Sequence, residues 1–163
     1  MPEFETTRRV RHTAENMFEL VADVENYPKF LPLCQAARLR GKKVVSPSCD
    51  VIVADMTVAY KVIRETFTSR ATLNRGDMAI EVEYLDGPFK YLHNRWKFDD
   101  LPGHNCDVAF FISYEFRSRM LSAVMGAVFD KAFRMFATAF ENRADELYGI
   151  HDAKLGQASP VRP

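Results

Sequence analysis

The chain has 163 residues, 47% hydrophobic and 27% charged, with 22 basic and 22 acidic residues cancelling to a formal net charge of zero. A chain of this size is most simply one domain that buries a core without staples, and the balanced charge argues against a nucleic-acid binder, DNA included, that works through bulk electrostatics. Its three cysteines are an odd number without Cys-x-x-Cys spacing, which argues against a disulfide scaffold and fits a reducing, cytoplasmic compartment.

The first residues lack the basic and apolar regions of a signal peptide, and no apolar run approaches the roughly 18 residues that span a bilayer. Contact with the inner membrane, if made, is expected to be peripheral. Residues 4–12 alternate and are rich in Thr, Arg and Val, which predicts a first strand. Thr13 is a candidate N-cap for a short helix over 14–24, with Met17, Phe18, Leu20 and Val21 on its apolar side. Pro28 and Pro32 confine the next stretch to a single helical turn. Residues 34–40 predict a second strand, followed by a polar turn over 41–50. Residues 51–60 alternate, with Ile52, Ala54, Met56 and Val58 on one face. Residues 61–73 read as a continuation of that strand, with Ile63, Phe67 and Leu73 on one parity and Arg64, Thr66, Thr68 and Arg70 on the other. Turn residues at 74–77, 86–88 and 101–105 separate strands over 79–85, 89–98 and 106–116.

From 120 to 148 there is no proline and one glycine. Leu121, Val124, Met125, Val128, Phe129, Ala132, Phe133, Phe136, Phe140, Ala144 and Leu147 recur at helical spacing, which predicts one long helix capped by Ser118. Residues 150–163 lack periodicity and are expected to form a flexible tail beyond a single domain over 1–149. Short turns imply antiparallel neighbours. The segregated helices therefore imply an α+β domain, a curved antiparallel sheet of about seven strands wrapped around the C-terminal helix, with two short helices after the first strand. Such a sheet can leave a cavity beneath the helix.

The residues suited to catalysis are sparse. His12, His93, His104 and His151 show no metal-ligand spacing. There is no nucleophile elbow, phosphate loop or dinucleotide fingerprint. Cys34 and Cys106 sit in apolar patterns and read as small hydrophobes. Asp55, Glu65, Glu81 and Glu83 fall on the outer parity. No enzymatic activity, metal or cofactor is therefore expected. Arg70 and Arg95 either hold a carbonyl or lipid head group at a pocket rim or pair across strands with those glutamates. Trp96 and Tyr114 either contact an aromatic head group or fill the core. Judged by spacing alone, Phe129, Phe133 and Phe136 read as plain core, as Phe140 and Leu147 do; only a family resemblance makes the first three candidates for the cavity wall. The basic run Arg38–Lys43 is a solvated strand end or a site for an anionic partner.

Residues 23–34, with Tyr27-Pro28-Lys29-Phe30-Leu31-Pro32-Leu33-Cys34 at their centre, resemble the signature of coenzyme Q-binding START-like proteins. These are often labelled polyketide cyclase/dehydrase-like, and they include bacterial ribosome-association toxins. Phe67-Thr68-Ser69-Arg70, Asp86-Gly87-Pro88-Phe89-Lys90-Tyr91-Leu92, residues 110–118 and Ala139-Phe140-Glu141-Asn142-Arg143-Ala144 match in order. The resemblance implies a helix-grip fold with an apolar cavity that binds ubiquinone or a related isoprenoid lipid in support of respiration, without catalysis. The ligand-binding residues expected on that basis are Phe30, Leu31, Met56, Phe67, Arg70, Tyr84, Trp96, Phe110, Ile112, Tyr114, Phe129, Phe133 and Phe136. Phe30 and Leu31 alternatively form an entrance flap that dips into a membrane. The ribosome is the alternative partner, and an aromatase/cyclase the third reading. A cavity below about 300 Å³ would not hold a drug-sized ligand, let alone a polyprenyl chain.

Overall fold

The computed structural model describes residues 3–149; the expected tail over 150–163 lies outside the described residues. Seven strands form one antiparallel sheet: β1 (Glu3–Val10), β2 (Cys34–Ser46), β3 (Cys49–Tyr60), β4 (Ile63–Asn74), β5 (Ala79–Asp86), β6 (Phe89–Leu101) and β7 (Asn105–Phe116). Their spatial order is β1-β7-β6-β5-β4-β3-β2. Between β1 and β2 the chain forms α1 (Ala14–Ala22) and a 3-10 turn over Val24–Lys29, and α2 (Arg119–Tyr148) closes the domain. The curved sheet grips α2, which is the helix-grip arrangement.

Both expected caps are present. Thr13 Oγ1 accepts from the Asn16 amide and Ser118 Oγ from the Leu121 amide, each at 3.1 Å, satisfying donors that the first helical turn leaves without partners. β7 alternates between buried and half-buried positions along its whole length, as the period-2 pattern requires.

Two sequence expectations are corrected. β2 does not end near Arg40. It runs through Gly41 to Ser46, paired with β3 across three register shifts. As an edge strand it buries little, so its side chains lack the alternation that would reveal it. Residues 61–73 do not continue β3 either. The chain reverses at Lys61-Val62, where Lys61 takes a left-handed φ of 55° and Val62 is 98% exposed. No Gly, Asn or Pro marks this turn.

The β2–β3, β4–β5 and β6–β7 turns lie at one end of the sheet, which α1 closes. Arg75 in the β4–β5 turn fixes α1 there. Its guanidinium donates to Glu19 at 2.7 and 3.0 Å and to Asp50 at 3.0 Å, and lies 5.3 Å from the centre of the Phe18 ring. Phe18 packs edge-on against Phe98 at 5.6 Å. The C-terminal end of α2 reaches the same region, where fully buried His12 meets Asp145 at 2.7 Å. At the opposite end, Gly87 in the β5–β6 turn has a φ of 141°. A Cβ there would meet Phe67 Cβ at 2.6 Å, so the turn requires glycine. The following Phe89 is fully buried and touches Phe67, Tyr84, Tyr114, Phe116 and Phe129. The Asp-Gly-Pro-Phe segment thus joins a close backbone approach to the hub of an aromatic cluster.

Candidate ligand cavity

Beneath α2 the sheet leaves a void of about 120 Å³. Its floor is the inner face of β3 to β7, its roof is α2, and its flank is the 3-10 turn with the loop that leads into β2. Inner-face residues of neighbouring strands fall into rows. Met56 pairs with Phe67, and Ala54 with Ser69. Ile52, Ala71, Val82, Asn94 and Ile112 form one continuous row across five strands. Pro32, Leu33, Met56, Phe67 and Phe136 line the void while remaining half-buried, as do Ser69 and Asn94; the Met56–Phe67 row, farther from the end that α1 closes, is taken as the rim.

The structure places nine of the thirteen expected residues at the void: Leu31, Met56, Phe67, Trp96, Phe110, Ile112, Phe129, Phe133 and Phe136. The other four lie elsewhere. Arg70 pairs with Glu83 at 3.1 Å on the outer face, because it lies one residue out of register with the inward-facing row. Tyr84 accepts a hydrogen bond from the Phe89 amide at 3.0 Å, which holds the β5–β6 turn. Tyr114 is buried behind α2, 5.3 Å from Phe133, and burial pushes its hydroxyl up to about 12. Phe30 packs edge-on against Phe140 at 5.1 Å, with the Arg143 guanidinium 5.6 Å from its ring centre. Since Leu31 is buried as well, this segment is packed inward and is not a protruding flap. Arg95, the other rim candidate, stacks on Phe111 at 4.6 Å, again on the outer face.

Phe140 and Leu147 reverse expectation in different ways. Phe140 lines the void, wedged between Tyr27 and Trp96 at 5.3 and 5.1 Å. Leu147 is 51% exposed, because the sheet no longer covers that side of the last helical turn.

The void is chemically bland. Among the described residues its lining includes no Asp, Glu, His, Lys or Arg. The Tyr27 hydroxyl donates to the Val21 carbonyl, and burial raises its pKa. The Cys34 thiol points to the Ala36 carbonyl at 3.8 Å, and burial pushes it up to about 11. Neither ionises near neutrality, so the wall offers no general acid–base pair or thiolate nucleophile. Two further polar side chains line the void, Ser69 and Asn94, and sequence reasoning missed both. The signal was available: Ser69 shares the parity of Phe67 and Leu73, and Asn94 that of Leu92, Trp96 and Phe98, so each is a polar residue in an apolar row.

Comparison with known proteins agrees with this architecture. The family described as polyketide cyclase / dehydrase and lipid transport matches residues 10–141. The ribosome association toxin RatA of Escherichia coli K12 is 34% identical over 148 residues, covering 91% of this chain and 90% of its own. The mitochondrial coenzyme Q-binding protein COQ10 homolog B of Xenopus laevis is 28% identical, over 98% of this chain and 65% of its own. The solution structure of the 18 kDa protein CC1736 from Caulobacter crescentus superposes with a TM-score of 0.74 at 34% identity, covering 91% of this chain and 99% of that one.

Proposed function

Because this chain belongs to the polyketide cyclase / dehydrase and lipid transport family, we propose that it binds a hydrophobic ring-bearing lipid of the isoprenoid quinone type between sheet and helix, and acts as a binding protein rather than a catalyst. The observation that carries this reading is the void itself, walled mainly by aromatic and aliphatic side chains, with no Asp, Glu, His, Lys or Arg among the described residues that line it. Apolar burial supplies the affinity, at roughly 25 cal/mol per Å² removed from water. The volume sets a limit. About 120 Å³ is below the roughly 300 Å³ of a typical ligand pocket, but close to the roughly 150 Å³ cavity that accepts one benzene. The void as it stands is smaller than that one-benzene cavity, so a substituted quinone ring enters only if rim side chains move aside, and a polyprenyl tail must extend past the rim. The likeness to the coenzyme Q-binding protein supports the quinone class. The test is organic extraction of the purified protein followed by mass spectrometry, repeated after reconstitution with ubiquinone. A near-stoichiometric quinone is expected; no lipid in either extract refutes the reading.

A second reading, association with the ribosome, is supported by the 34% identity to RatA across nine-tenths of both chains. Edge strand β2 presents Arg38, Arg40, Lys42 and Lys43 to solvent. Asp55 and Asp50 neutralise part of that charge, lying 3.0, 3.7 and 3.6 Å from the first three. Overexpression followed by gradient profiling separates the two readings. A shift between 70S particles and free subunits supports ribosome association, and an unchanged profile removes it.

A further inference from the structure

We infer that Ser69 and Asn94 form a polar anchor for a neutral, oxygen-bearing head group, so that a ligand enters head first and leaves its apolar tail at the rim. The inference rests on the binding role proposed above and adds the orientation and the class of head group.

The registers place the two residues at defined depths. The Met56–Phe67 pair belongs to the rim. One inward-facing row deeper lies Ala54–Ser69, and one row deeper again lies the row that contains Asn94. Leu73, Ile80 and Trp96 continue the floor beyond it. The anchor is therefore a polar step in an otherwise apolar floor, one and two rows along from the Met56–Phe67 pair and half-buried like it. A ligand whose head stayed at the rim would leave this step facing hydrocarbon, with its hydrogen-bonding capacity unused.

Asn94 is held rigidly. Its Nδ2 donates to the Phe111 carbonyl at 2.8 Å, and its Oδ1 accepts from Trp96 Nε1 at 3.0 Å. Indole N–H only donates and a carbonyl only accepts, so the amide orientation is determined rather than arbitrary. One N–H and one lone pair of the amide remain. Ser69 Oγ makes no hydrogen bond to the described residues and lines the void, so it brings one donor and an acceptor. Each suits a ring carbonyl, methoxy or hydroxyl oxygen, and because they lie two strands and one inward-facing row apart they would hold different oxygens of one head group. They do not suit a carboxylate or phosphate, because no cation among the described residues lines the void to offset the cost of burying a charge.

The test compares three probes of equal tail length, namely decylubiquinone, decylbenzene and decanoate, by titration against wild-type protein, Ser69→Ala and Ser69→Thr. Wild type is expected to bind the quinone three- to tenfold more tightly than decylbenzene, the range of one net hydrogen bond, and decanoate at least tenfold more weakly than the quinone. Ser69→Ala is expected to shrink the preference for quinone over decylbenzene, and Ser69→Thr to retain it. Equal affinity for quinone and decylbenzene, undisturbed by Ser69→Ala, overturns the anchor but leaves the apolar cavity standing. Binding of decanoate as tight as the quinone also overturns it. If neither decylubiquinone nor decylbenzene binds wild type, the binding role fails and the anchor with it.

Discussion

Filling the void should stabilise the protein and block its ligand at the same time. Ala71 sits mid-floor on β4, buried, with its side chain at the void and Ile52 and Val82 beside it in the row. Ala71→Leu adds three carbons to a space of about 120 Å³. At about 0.8 kcal/mol per buried carbon the gain is at most about 2.4 kcal/mol. Imperfect fit to the fixed strand costs about 1 kcal/mol of it, the low end of overpacking strain. The net expectation is a gain of about 1–1.5 kcal/mol, a rise in Tm of roughly 2–6 °C for a chain of this size. Ordinary core positions behave oppositely: there the same change overpacks and destabilises by about 1–3 kcal/mol. Calorimetry of wild type and variant, paired with decylubiquinone titration, reads both arms. A higher Tm with at least tenfold weaker binding is expected. A lower Tm with unchanged binding refutes both the void and its use.

Gly87→Ala, which drives a Cβ into Phe67 at 2.6 Å at a φ of 141°, should cost about 2–3 kcal/mol in urea unfolding. Arg75→Met removes two carboxylate partners while keeping an apolar stem over Phe18; a loss of about 1–2 kcal/mol is expected in the same measurement, and an unchanged midpoint would show that α1 is not held by this arginine. Burial raises the Cys34 thiol to about 11, the Cys106 thiol to about 12 and the Tyr114 hydroxyl to about 12. The neutral forms are those the fold favours, so this stability is fully present below pH 9 and is lost as pH rises from 9 to 12. Urea midpoints should fall across that window, and a thiol reagent at pH 8 should label half-buried Cys49 well before the other two.

How far the fold could be read in the sequence depended on how each element is buried. α2, its Ser118 cap and β7 were legible because each has one apolar face against the core and one against water, which imposes a period. Edge strand β2 has no such contrast, so its backbone pairing beyond Arg40 left no trace in side-chain type. The Lys61-Val62 turn was hidden because a left-handed lysine replaced the usual turn residues. At the cavity, parity alone separates inward-facing Phe67 from Arg70, which pairs with Glu83 on the outer face. Tyr84 and Tyr114 show that an inward-facing aromatic need not reach a void, because neighbouring rings can cover it. Phe140 shows the converse: a residue near a helix end reaches the void when the 3-10 turn packs alongside rather than beneath it. Ser69 and Asn94 each interrupt an apolar inward row, and a polar residue in such a row is a rarer and more informative sign than another apolar one.

The chain carries a single tryptophan, and Trp96 lines the void, so its fluorescence reports occupancy from inside. Titration with decylubiquinone should quench it saturably with a micromolar midpoint, and Ala71→Leu should remove the saturable phase. Linear quenching in wild type, matching that of free tryptophan amide and undiminished in Ala71→Leu, would contradict ligand binding in this cavity.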